Sequence, residues 1–189
     1  MSSGRTIVSA APCGETARVR RGDTLEQMTE RCYGSRIFQD WVADHNHRTK
    51  DRLREGETLD LPSFDVLVSE QIASRWGAET TPIAQAYAHF RSAESDIEGQ
   101  FRAQPLGPCG YRPTIPAKTD LRAAASALRP LVERLEAAGV RSRKFASLRD
   151  TLESLASGTG TSWSSDYTVE GVLQDFFYGV SDLSQKSAR

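Results

Sequence analysis

The chain has 189 residues, enough for one large domain or two small ones, with 38% apolar and 26% charged residues, a globular composition. The 24 Lys and Arg nearly balance the 25 Asp and Glu, and residues 1–62 carry ten of each sign, so neither part is a polyanion-binding face and nucleic acid is not an expected partner. No apolar run approaches the ~18 residues a membrane helix needs, so no membrane partner is expected either.

Residues 1–15 read as an N-terminal arm of small and polar residues, closed by Pro12 and Gly14. Only Ile7, Val8, Ala10 and Ala11 would contribute to the apolar core of a Sec leader, so no leader is expected and the chain is placed in the cytoplasm at synthesis. Cys13, Cys32 and Cys109 are odd in number and form no CxxC pair. They predict neither a disulfide framework nor a zinc site, and they suit a reducing compartment.

Ala17–Arg21 alternates as a short strand with Val19 inward. Gly22-Asp23-Thr24 turns the chain, and Asp23 or Thr24 offers a side-chain oxygen to the free amides of a helix start. Leu25, Met28 and Cys32 recur as one helical stripe that Gly34 ends. Ser35 offers a cap for a second helix through His45, burying Ile37 or Phe38 with Trp41 and Val42, and Asn46 ends it. The charged segment HNHRTKDRLREGE follows, Gly56 turns the chain, and Thr58–Leu61 is a second strand with Leu59 and Leu61 inward.

Val19, the run Gly22-Asp23-Thr24-Leu25, Met28, Tyr33-Gly34, Val42, Asn46, Leu53, Gly56, Leu59, Leu61 and Pro62 together resemble the lysin motif (LysM) family in order and spacing. The resemblance covers about a quarter of the chain and implies a β-α-α-β module with a two-stranded antiparallel sheet. It also implies a groove for glycans that contain N-acetylglucosamine. Gly22, Asp23, Thr24 and Leu25 would form one wall, and the stretch from Asn46 through Leu53 the other. Backbone amides and small side chains would bond the acetamide there, and its methyl would rest on Leu25 or Leu53.

Beyond Pro62 the pattern is helical. Asp65 is expected to cap a helix carrying Val66, Leu67, Ile72 and Trp76 that Gly77 terminates. Thr81-Pro82 opens a long helix carrying Ile83, Tyr87, Phe90, Ile97 and Phe101. Residues 104–118 hold Pro105, Pro108, Pro113 and Pro116 and read as a linker or crossover. Thr119 is expected to cap a helix with Leu121, Ala125, Leu128, Val132 and Leu135, kinked or broken by Pro130. Phe145, Leu148, Leu152 and Leu155 mark another helix, Gly158–Ser165 a loop, and Thr168 the start of a last helix. The predicted class is therefore α+β, with an N-terminal β-α-α-β module and a mainly α-helical remainder. The segments are an arm at 1–15, the module at 16–63, a helical pair at 64–103, the linker at 104–118 and a helical region at 119–189.

Candidate chemistry is sparse. His45 and His47 beside Asp44 straddle a helix end with no further ligand, so no metal or other cofactor is expected. No GxSxG elbow is present, and Gly158-Thr159-Gly160-Thr161-Ser162 lacks the Lys of a phosphate loop. The reading is a non-catalytic protein. One reading is an adaptor joined to other protein subunits through 64–103 and 119–189, similar to small baseplate or tube components of phage tails and contractile injection systems. The alternative is a peptidoglycan-binding protein.

Overall fold

The computed structural model describes residues 13–49, 53–103, 112–140, 143–158 and 165–184, with backbone only at 101–103 and 165–168. The expected linker therefore lies largely outside the described residues, as do Cys109 and most of the Gly158–Ser165 loop. The chain divides into two compact units, Met1–Leu67 and Val68–Arg189.

In the first unit β1 (Glu15–Arg18) pairs antiparallel with β2 (Thr58–Leu61), Glu15 opposite Leu61 and Arg18 opposite Thr58. Strand alternation sends Ala17, Leu59 and Leu61 into the core, and Val19 follows them just past β1. Helix α1 (Leu25–Tyr33) starts where Thr24, in extended backbone, accepts a hydrogen bond from Gln27 N through Oγ1 at 3.2 Å. It ends at Gly34, whose φ of 78° is the left-handed conformation of a helix stop. Ser35 then opens a 3₁₀ turn, Arg36–Phe38, by accepting from Ile37 N at 3.2 Å, and the chain runs straight into α2 (Gln39–His45). The single helix expected from Ser35 is thus a 3₁₀ turn followed by an α-helix.

That turn decides which residue enters the core. Phe38 is fully buried while Ile37 is only half-buried. The Phe38 ring sits 5.2 Å from Trp41, 5.4 Å from Phe64 and 6.4 Å from Tyr33, the last two edge-on, as aromatic quadrupoles prefer. Tyr33 donates its hydroxyl to Pro62 O at 2.7 Å, joining the end of α1 to the end of β2.

One core residue conflicts with its surroundings. Thr29 is fully buried on α1, and its hydroxyl has no hydrogen-bond partner among the described residues. Thr29→Val keeps the shape and removes the orphaned polar group, so it should stabilise the unit by about 1 kcal/mol, read as a higher urea midpoint at unchanged slope.

Helix α3 (Phe64–Gln71) spans the division between the units. Asp65 does not cap it, because the helix already starts at Phe64, with Leu67 N bonded to Ser63 O at 3.2 Å. Nor does it continue to Gly77. Ile72 forms an antiparallel bridge with Ser184, and Ala73 N donates to Leu183 O at 2.8 Å, which pulls the chain out of helix. Trp76 and Gly77 fall in a 3₁₀ segment, Ser74–Glu79.

The second unit is built on α4 (Thr80–Ala103), α5 (Ile115–Ala137), α6 (Arg143–Ser157) and α7 (Ser165–Asp182). Neighbours in sequence pack on one another and α7 returns to α4, closing a four-helix ring. Helices α4 and α5 are antiparallel: Arg134 meets Glu79 just before α4, His89 meets Asp120, and Gln100 meets Arg112 just before α5. Ile83, Phe90, Ile97, Leu121, Leu128, Phe145, Leu152 and Phe176 fill the interior.

Two helix boundaries correct the sequence reading. Helix α5 begins at Ile115, not Thr119, because Thr114 is its cap and Pro116 lies in the first turn, where no amide is needed. Asp96 and Gln100 on α4 hold that start, Gln100 bonding both the N–H and the C=O of Arg112. Nor does Pro130 break α5, which is continuous to Ala137. The amide that proline lacks would have bonded the carbonyl of Ser126, and both residues are exposed, so water can serve that carbonyl. Helix α7 likewise starts at Ser165, before Thr168.

The result is an α+β protein, a small two-stranded sheet in a mostly helical chain. No helix among the described residues is long and apolar enough to cross a membrane.

Candidate functional site

The two walls that the resemblance implies leave the hairpin at the same end. Past the last strand pair, Val19 N donates to Glu57 O at 2.8 Å and Gly56 N to Val19 O at 2.9 Å. The turn after β1 and the loop before β2 therefore start side by side.

The first wall is a closed turn. Asp23 N donates to Arg20 O at 3.0 Å, and Arg20 N returns a bond to Asp23 Oδ2 at 2.8 Å. Gly22 sits at φ 88°, a conformation a side chain would strain. The other carboxylate oxygen, Oδ1, pairs with Arg31 Nη2 on α1 at 2.9 Å. Thr24 is engaged as the helix cap. Leu25, one of the two leucines on which the resemblance would rest an acetamide methyl, points into the core with 7% of its surface exposed.

The second wall begins at Asn46, the C-terminal cap of α2. Its Nδ2 donates to Val42 O and to Asp60 O, and its Oδ1 accepts from Asp60 N, each at 2.8 Å. These bonds rivet the end of α2 to β2. His45 Nε2 lies 3.3 Å from Asp60 Oδ2 in the same seam. His47 takes φ 51°, and Arg48 Nη1 reaches Glu57 Oε1 at 2.9 Å. The Arg48 hydrogen bond, helped by a backbone bond, holds the Glu57 carboxyl below the usual carboxylate range. Leu53 is half-buried beside residues 50–52, which lie outside the described residues.

Sequence reasoning therefore placed Gly22, Asp23, Thr24 and Asn46 at the mouth of the hairpin but missed what they bond. Arg31, Glu57 and Asp60 are the residues it overlooked. Asp60 was legible as the outward position between Leu59 and Leu61; Arg31 was not, because its partner is eight residues away. Asn46→Ala removes the rivet and should destabilise the unit by about 1.5 kcal/mol, measured by urea unfolding. The seam is partly solvated, which keeps the loss below that of a dry site.

The cysteines correct the sequence reading. Cys13 and Cys32 are joined as a disulfide, with Cα atoms 5.4 Å apart. Their spacing matches no motif. They meet because the turn after β1 sends α1 back, so that its last turn lies beside the residues just before β1.

Among the described residues, no group of three His, Cys, Asp or Glu side chains could hold a metal ion. His89 Nδ1 faces Asp120 Oδ1 at 3.0 Å between α4 and α5, an ion-pair geometry on a half-exposed face. What the mouth of the hairpin presents is a charged rim of Arg20, Arg21, Arg54 and Glu55, all exposed. No family model, curated protein or solved structure matches this chain.

Proposed function

We propose that residues 16–63 are a LysM-like module used as a docking fold, in a non-catalytic adaptor of a large protein assembly. The observation that carries this reading is how the side chains at the mouth of the hairpin are used. Both Asp23 oxygens, the Thr24 hydroxyl and the Asn46 amide are bonded within the unit, and Leu25 is in its core. A sugar would find few side-chain partners that are not already holding the fold, and it would meet a charged rim where stacking surfaces are wanted. Charged rims suit protein partners, which they orient and select.

The helical unit is the second half of the proposal. Its surface presents Ile115 at 83% exposure and Tyr178 at 46%, with Lys144 Nζ 5.4 Å from the Tyr178 ring centre. Exposed aromatic and aliphatic anchors within a charged surface fit contact with other subunits. The assembly class that the resemblance favours is the phage-tail-like or contractile-injection baseplate or tube.

The alternative, peptidoglycan binding, rests on the two loops that leave one end of the hairpin side by side. The test of the adaptor reading is incorporation. The full chain should co-purify in a large particle from the producing cells, and a chain cut after Pro62 should not. Full-length protein that stays outside any particle would refute the adaptor.

A further inference from the structure

We propose that the Cys13–Cys32 pair is a reversible redox clasp that sets the stability of the N-terminal unit. The inference is independent of what the unit binds. The unit is small: a two-stranded sheet of 4-residue strands and helices of 9 and 7 residues between them. Hairpins and helices of that size are marginal alone, and a core of this size contributes only modest stability. The disulfide closes a loop with a separation of 19 residues, which contains β1, the Gly22 turn and nearly all of α1. Constraining an unfolded loop of that length shifts an unfolding equilibrium on the order of 100-fold. A single covalent bond therefore contributes a large share of this unit's stability.

The clasp is also reachable. Cys13 is exposed at the end of the sheet, anchored beside β2 by the bond from Gly14 N to Leu61 O at 2.7 Å, whereas Cys32 is buried on α1. An incoming thiolate attacks Cys13 Sγ, breaks the bond between the two sulfurs and forms a mixed disulfide at Cys13. Cys32 leaves as a thiolate and takes a proton. A second thiol breaks the mixed disulfide, so two electrons pass from two thiols, which end as one low-molecular-weight disulfide. That disulfide class closes the clasp by the reverse steps.

The test is amide hydrogen exchange on the full chain with Cys109→Ser, oxidised by glutathione disulfide or reduced by dithiothreitol. Reduction should lower protection of the residue 15–33 amides on the order of 100-fold and leave those of α5 and α6 unchanged. The same chain with Cys13→Ser should show the reduced pattern under both conditions. Protection over 15–33 that ignores the reductant would overturn the proposal. So would finding both thiols free after oxidation, or losing protection equally through α5 and α6.

Discussion

Gly179→Ala will destabilise the helical unit by about 2 kcal/mol, while Gly171→Ala on the same helix will stabilise it by about 0.5 kcal/mol. Both positions are helical, and alanine is favoured over glycine there by up to about 1 kcal/mol because it loses less backbone freedom. What differs is the neighbour. A Cβ at Gly171 would meet nothing within 4 Å among the described residues. A Cβ at Gly179 would lie 2.8, 2.9 and 3.0 Å from three atoms of the Phe145 ring. Phe145 is fully buried, so its ring has no room to retreat. Gly179 is the notch on α7 that admits the largest residue of α6. Phe145→Leu costs stability alone, but combined with Gly179→Ala it should recover part of the clash. Urea unfolding of the two single variants and the double one gives that coupling; simple additivity would contradict the notch.

Arg134→Ala will lower stability by about 2 kcal/mol, read from the same urea unfolding. The Glu79 side chain is only 4% exposed, and the Arg134 guanidinium grips both its oxygens, with Nε 2.6 Å from Oε1 and Nη2 on Oε2. Removing the arginine strands a buried carboxylate, the costly way to break such a pair. The arginine side chain is itself half-exposed, so water can reach part of the gap, which keeps the loss below the upper range for dry pairs. Glu79→Gln with Arg134→Met should sit closer to wild type than Arg134→Ala, because no unpaired charge remains. The bridge matters for topology as well: it ties the 3₁₀ segment before α4 to the last turns of α5.

These two positions show where sequence reasoning stops. The module's turns were legible because they depend on local chemistry: Thr24 as a cap, Gly34 and Gly56 in left-handed backbone, Leu59 and Leu61 in alternation. Helix periodicity likewise located Ile83–Ile97 and Phe145–Leu155 on buried faces. The misreadings share a cause, which is a partner distant in the chain. Ile72 leaves helix because Ser184 pairs with it, and Thr114 starts α5 because Asp96 and Gln100 hold the preceding backbone. Pro130 survives inside a helix because its missing bond faces water, and the exposure of Ser126 depends on packing. Cys13 finds Cys32 only once α1 has folded back past the start of β1.

The same limit applies to the candidate groove. Gly22-Asp23-Thr24-Leu25 and Asn46 were found by position, yet whether they face a ligand or hold the fold depends on Arg31 and Asp60. Replacing Asp23 and Leu25 together would be a poor probe of sugar binding, since it removes a turn closure and a core side chain at once. The ligand question needs the intact protein.

The decisive measurement is retention of the purified full chain on insoluble peptidoglycan, with soluble N-acetylglucosamine oligomers as competitor. A docking fold whose polar side chains are engaged internally predicts that the protein stays in the supernatant, with or without competitor. Retention that the oligomers release would contradict that account and make the mouth of the hairpin a glycan site.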